Sequence, residues 1–406
     1  MQLKLLNFHK IFSQFASNIV GAFIALIIYK STGSFTFAFL FMVLSMLLRI
    51  MFTKIFFNLM EKYPQVFLAL RIIPFLLYSL SLLLLDTPYQ VLGIVLSVIL
   101  YAISVSFKDI PMELTYSYNA SNKGSSSNGL SRLFEYIGVI SAIILGGLFL
   151  DNLDKWVVIL IACLTYLISV IPLFIFYIKQ RKTKGFNKEA VSNAIESFKN
   201  IRIKKHQQKV ISKKLLIRYF IIYFLFCVYD ALMSLLSLYL FKVSASSYSF
   251  ISYVQASFYA MFGFGCFVAG KLDEKYDLTL LVGINCILSG ILVCFVPYLA
   301  NFIWIEVALF GAIGYLYSHI SIFCYSRMMM RCNIMGIGNT ALYNRAQASR
   351  WSQCLIYGIV AISSALFIPA FFVVGIIFGS CSIFIPANEE KTRKMLVDYL
   401  QNNKLY

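Results

Sequence analysis

Leu59-Met60-Glu61-Lys62-Tyr63 and Leu272-Asp273-Glu274-Lys275-Tyr276 are two versions of one phrase, set 213 positions apart. Each is a short charged stretch between two long apolar runs. The chain between the copies is long enough for six membrane helices. A parallel internal repeat at this offset implies two six-helix halves fused in tandem. A second echo agrees with it. Ser131-Arg132-Leu133-Phe134-Glu135 and Ser349-Arg350-Trp351-Ser352-Gln353 lie 218 positions apart. Each copy sets a carboxylate or amide three residues after its arginine, on one helix face.

Composition leads to the same class. The 406 residues are 60% hydrophobic and 13% charged, against about 25% charged in a soluble domain. Several uncharged runs of roughly twenty residues can span about 30 Å of hydrocarbon. The expected fold is an all-α integral membrane protein with twelve transmembrane helices in two pseudo-symmetric six-helix bundles. The bundles are expected at 1–178 and 216–387, with a basic cytosolic linker at 179–215 and a cytosolic tail at 388–406.

A net charge of +18 can signal nucleic acid, but its placement excludes that reading. Of 35 Lys and Arg, only Lys30, Lys155 and Lys242 fall at the expected outer loops. The rest follow the positive-inside rule. They orient the chain in a plasma membrane, that of a bacterium, with both termini in the cytosol, and can also meet anionic lipid. Lys4 and Lys10 precede the first apolar run without a small-residue cleavage site, so that run reads as the first helix. The nine cysteines avoid the expected outer loops and show no metal-ligand spacing. They read as reduced packing residues. Neither a metal nor a cofactor is expected, and no Walker or nucleophile-elbow motif points to an enzyme.

The repeated phrase resembles the loop between helices 2 and 3, and again 8 and 9, of the major facilitator superfamily. That loop reads roughly Gly-x-x-x-Asp-Arg/Lys-x-Gly-Arg/Lys. Glu61-Lys62 and Glu274-Lys275 stand at its charged pair, while Phe57, Pro64 and Asp277 replace its glycines. Gly129, Gly138, Ala142, Gly146 and Gly147 fit the spacing of the superfamily's antiporter motif in helix 5, with Ala142-Ile143 where that motif has Gly-Pro. The stripe Gly138, Ala142, Gly146 recurs every four residues and lets another helix approach closely. It reads either as ordinary small-residue packing or as the leak-tight interface of an exporter. The arginine that many members carry in helix 4 is missing between Tyr89 and Phe107.

The resemblance implies that helices 1, 4, 7 and 10 line a central cavity, which would gather Gln14, Asn18, Asp230 and Glu306 around a substrate. Asp230 is the one acid placed near the middle of a span, and intramembrane carboxylates are functional candidates by default. It is the expected proton-coupling group. At the inner face Glu61, Lys62, Glu274, Lys275, Arg132, Glu135, Arg345 and Arg350 form the expected gate, with Glu61 and Glu274 pairing to the arginines. Arg49, Arg71, Lys108, Asp109 and Glu113 read as interfacial anchors at helix ends. His319 reads as interfacial. Tyr101, Tyr315 and Tyr317 could make the cavity aromatic.

The resulting expectation is a monomeric secondary transporter working by alternating access, exporting a small lipophilic or amphipathic compound in exchange for protons. Two alternatives stay open: an importer or lipid-linked glycan flippase of the same fold, and a non-transporting sensor or immunity protein on this scaffold.

Overall fold

A computed structural model describes residues 2–120, 125–182, 205–244, 247–273, 275–276, 279–334 and 337–402. The chain crosses the membrane as α1 (Leu5–Thr32), α2 (Phe35–Lys62), α3 (Pro64–Asp86), α4 (Gln90–Thr115), α5 (Arg132–Asn152), α6 (Lys155–Lys179), α7 (Lys213–Val243), α8 (Tyr248–Asp273), α9 (Thr279–Leu299) and α10 (Ile303–Tyr325). It continues as α11 (Gly338–Ile362) and α12 (Phe367–Asn402). Helices are the expected answer to hydrocarbon, where every backbone donor must be satisfied within its own segment. The chain turns at residues 31–34. Gly33 takes φ +68° and returns its N–H to the Tyr29 carbonyl at 2.7 Å, while Ser34 caps α2. Pro64 opens α3 at its first turn, directly after the repeated phrase.

Packing repeats with a period of six helices. In the first half α1 packs on α5 and α6, α2 on α4, and α3 on α4 and α6. In the second half α7 packs on α11 and α12, α8 on α10, and α9 on α10 and α12. The halves meet along two seams, α2 with α11 and α5 with α8, which are images of each other under the same repeat. The α2–α3 turn and the start of α1 define one membrane face, here the basic face. Gly33, Asp86 and Asn152 lie at the opposite face.

Two inner loops, which the polar stretches 119–128 and 327–345 suggest, are shorter than those stretches. The helix that contains α10 runs on to Ile334, and α11 starts at Gly338 rather than near residue 350. The helix of α4 reaches Ala120, and that of α5 begins at Ser125. Polar side chains do not by themselves stop a helix beyond the membrane. The same reasoning accounts for the tail, which stays helical to Asn402. Most of the linker, residues 183–204, lies outside the described residues.

The glycine stripe is a structural requirement. A side chain on Gly138 would run into the backbone of Ile11, and one on Gly146 into that of Ile19, so α5 sits backbone to backbone against α1. Ala142 between them is fully buried. Gly147 faces the other way, onto α8. The surroundings of Gly129 lie outside the described residues. One further irregularity matters for the site: α7 is broken by a 3-10 turn at Val228–Ala231. Tyr229 pins that break, its ring 4.4 Å from Tyr317 and 5.0 Å from Phe378.

Candidate functional site

A cavity of about 210 Å³ lies between the halves, in the part of the fold nearer the basic face. Helices α1, α2, α4, α5, α7 and α11 supply its wall. Side chains four residues apart share a helix face. Lys10 and Gln14 on α1, Asp109 and Glu113 on α4, and Arg345 and Ser349 on α11 all reach the cavity that way. The lining holds six basic groups and four acidic ones.

Eight of those ten charges pair among themselves. Arg49 meets Asp109 at 2.8 Å, and Arg350 lies 3.8 Å from the same carboxylate. Arg132 bridges Glu113 at 2.7 Å and Glu135 at 3.1 Å. Lys10 lies 3.6 Å from Glu135, and Arg345 3.8 Å from Glu113. Two groups remain. Lys108 on α4 donates to the Gln14 amide oxygen at 3.0 Å, and no carboxylate among the described residues pairs with it. Asp230 on α7 accepts from the Tyr317 and Ser349 hydroxyls at 3.1 and 3.0 Å, with no cation in salt-bridge contact among the described residues. It is deep in the fold yet exposed, because the break in α7 turns it toward the cavity.

Of the four residues expected around a substrate, Gln14 and Asp230 line the cavity. Asn18 sits one turn deeper and donates to Gln14 at 3.2 Å. Glu306 does not join them. It is fully buried in the first turn of α10. Eleven residues separate it from Tyr317, so it shares a helix face with Tyr317 but lies about 16 Å further toward the opposite face.

The expected gate is also rearranged. Arg132, Glu135, Arg345 and Arg350 line one cavity, and the acids that bridge to the arginines across the halves are Glu113 and Asp109 of α4. Glu61 reaches the other half through Asn339, which donates to it at 2.7 Å. Lys62 and Lys275 are exposed at the basic face, and Glu274 lies outside the described residues. Arg49, Lys108, Asp109 and Glu113, read as interfacial anchors, are cavity residues instead. Arg71 is buried within the first half, donating to Ser17 and Ser104 at 2.5 and 3.3 Å. Lys108, Asp109 and Glu113, following the uncharged stretch from Tyr89 to Phe107, were the available signal. Tyr101, Tyr315 and Tyr317 do not line this cavity. Tyr101 packs on Tyr78, Tyr315 on His319, and Tyr317 between Phe226 and Tyr229. His319 is buried, with Nδ1 3.0 Å from the Tyr315 carbonyl.

A family model described as Major Facilitator Superfamily matches residues 11–343. The fold is similar to a POT family transporter solved in complex with 5-aminolevulinic acid, with TM-score 0.63 and 13% identity over 96% of each chain. It is similar as well to a structure from work on substrate recognition in proton dependent oligopeptide transporters, with TM-score 0.64 and 12% identity over 97% of this chain and 99% of that one. No curated protein matches the sequence.

Proposed function

The chain belongs to the major facilitator superfamily of membrane transporters, and we propose that it carries a small hydrophilic solute bearing one anionic and one cationic group, coupled to protons through Asp230. The observation that supports this reading is the pair of charges without a counter-ion. Lys108 projects from the first half and Asp230 from the second, into one cavity. Charges are costly inside a bilayer, and the other eight in the lining offset that cost by pairing. A solute with both signs would complete the remaining two. Such a lining suits a lipophilic compound poorly, so the substrate class expected from the sequence is replaced.

Asp230 then takes either a proton or the solute's cationic group, and that competition is sufficient for exchange. The tight α1–α5 contact, with its likeness to the antiporter motif, supports export as the direction. The basic face is the cytosolic one in this reading. On the opposite face Lys30 rests on the Tyr248 ring at 3.7 Å, Lys242 faces Phe367, and Lys155 pairs with Asp86.

Proteoliposome transport of 5-aminolevulinic acid, amino acids and dipeptides, with and without a pH gradient, tests the reading. Wild type should accumulate at least one zwitterion. Lys108→Gln should weaken its binding about tenfold, equivalent to about 1.4 kcal/mol. Asp230→Asn should abolish accumulation driven by the pH gradient while exchange continues. Accumulation of lipophilic compounds, unchanged in both variants, would overturn it.

A further inference from the structure

A continuous chain of polar contacts leads from Lys108 to the joint between the halves. The Lys108 ammonium donates to Gln14 Oε1 at 3.0 Å, and Gln14 Nε2 donates to Glu135 Oε1 at 2.8 Å. The other oxygen of Glu135 takes Arg132 at 3.1 Å. Arg132 also holds Glu113 Oε1 at 2.7 Å. Glu113 reaches across the seam, accepting from the Tyr325 hydroxyl at 3.0 Å and lying 3.8 Å from Arg345. Glu113 therefore joins an arginine of its own half to two side chains of the other. Gln14 is the one uncharged link, and it works in both directions, as acceptor on one side and donor on the other.

We propose that Gln14 is a positioning residue that couples the state of Lys108 to the Glu113 latch at the basic face. The charge balance sets the sign. Arg132 is shared between Glu135 and Glu113. While Lys108 polarises the Gln14 amide, Gln14 competes with Arg132 for Glu135, which leaves Arg132 free to hold Glu113. When an anion engages Lys108, the polarisation falls, Glu135 draws Arg132 more strongly, and the hold on Glu113 weakens. Two donors on one carboxylate weaken each other, while bonds in series along the chain strengthen together, and the coupling is reciprocal: an open latch raises the affinity of Lys108 for an anion. The role of Lys108 as anion anchor rests on the function proposed above; the latch and its coupling to Lys108 do not.

The test uses ligand-free protein, so its outcome is independent of substrate identity. Spin labels attached through p-acetylphenylalanine at the exposed positions 63 and 276 leave the nine cysteines in place. Glu113→Gln should move the distance distribution toward longer separations, and Tyr325→Phe should do so to a smaller extent. Lys108→Met should raise the open fraction at least threefold in the wild-type background. In a Gln14→Leu or Gln14→Met background, where the chain is already cut, Lys108→Met should change it less than 1.5-fold. Two Gln14 variants guard against a folding defect in either. Equal effects of Lys108→Met in both backgrounds would remove Gln14 from the coupling. An unchanged distribution in Glu113→Gln would remove the latch itself.

Discussion

The two seams between the halves occupy equivalent positions in a duplicated fold, yet they are closed by different physics. Along α5–α8 the fit is one of shape. A side chain on Gly147 would meet Ser252 and the Tyr248 carbonyl at 2.7 and 2.8 Å, and one on Gly263 would meet Tyr136 at 3.1 Å. Tyr136 stacks on Tyr259 at 5.6 Å. Along α2–α11 the joints include polar ones. Buried Arg350 donates to the Arg49 carbonyl at 2.8 Å and to the Thr53 hydroxyl, and Asn339 meets Glu61. A seam closed by dispersion depends on volume and tolerates little change in it. A seam closed by hydrogen bonds depends on donors finding acceptors. Duplication supplied the positions, and each seam acquired its own means of closure.

The largest effect should come from breaking the shape seam. Gly147→Leu forces a side chain into the α8 backbone, an overpacking that should destabilise by about 3 kcal/mol. The matched control lies on α11 at Gly358, where an added Cβ meets nothing within 4 Å. Gly358→Leu should change stability by less than about 1 kcal/mol. Thermal unfolding in detergent, followed by helix signal, measures both. Equal losses in the two variants would dissolve the distinction between the seams.

A smaller effect is expected at the polar seam. Arg350→Met keeps most of the side-chain volume but leaves the Arg49 carbonyl and Thr53 without their donor, at a cost of about 2 kcal/mol. Adding Thr53→Val removes one of the orphaned groups. The second change should therefore cost less when Arg350→Met is already present than it does alone, a non-additivity that a double-mutant cycle detects. Strict additivity would mean that Arg350 acts on this seam through packing.

The architecture was legible because periodicity and repeat length survive in any apolar helix. The twelve spans and a close helix contact at the α5 glycine stripe follow from such local signals. Depth does not. Glu306 and Tyr317 share a helix face, and no pattern in α10 says that only Tyr317 lies at the level of Asp230. Partners across the seam are equally hidden. Glu113 at a helix end could as readily have met water as Arg345, which is remote in sequence. The i, i+4 spacing of Asp109 and Glu113 marked a charged face, but what it faced was a property of the assembled halves. Asp230 was legible for the converse reason: a lone acid in the middle of a span has few inexpensive explanations.

The smallest predicted effect sharpens the comparison at the far end of the shape seam. There the α5–α8 contact ends in a charged joint. The Asp151 carboxylate accepts from the backbone N–H groups of Tyr248 and Ser249 at 2.9 and 2.7 Å, and from the Ser249 hydroxyl at 2.5 Å. Ser247 supplies the next cap contact, to Phe250 N–H, from within the second half. The first turn of α8 is thus capped in part by the other half of the protein, and that contribution is lost if the halves part at this face. Water can replace it, because Asp151 is exposed and Ser249 is half-buried. Asp151→Ala should therefore cost only about 1 kcal/mol, in the usual range for a helix cap. On a balanced two-state equilibrium that is about a fivefold change. It should appear as a longer distance between labels at the exposed positions 89 and 302. The distance between positions 63 and 276 should not lengthen, since opening one face closes the other. A distribution at positions 89 and 302 identical to wild type would mean that the cap is retained through opening. The α5–α8 seam would then behave as a fixed hinge, with movement confined to the seam that Arg350 holds.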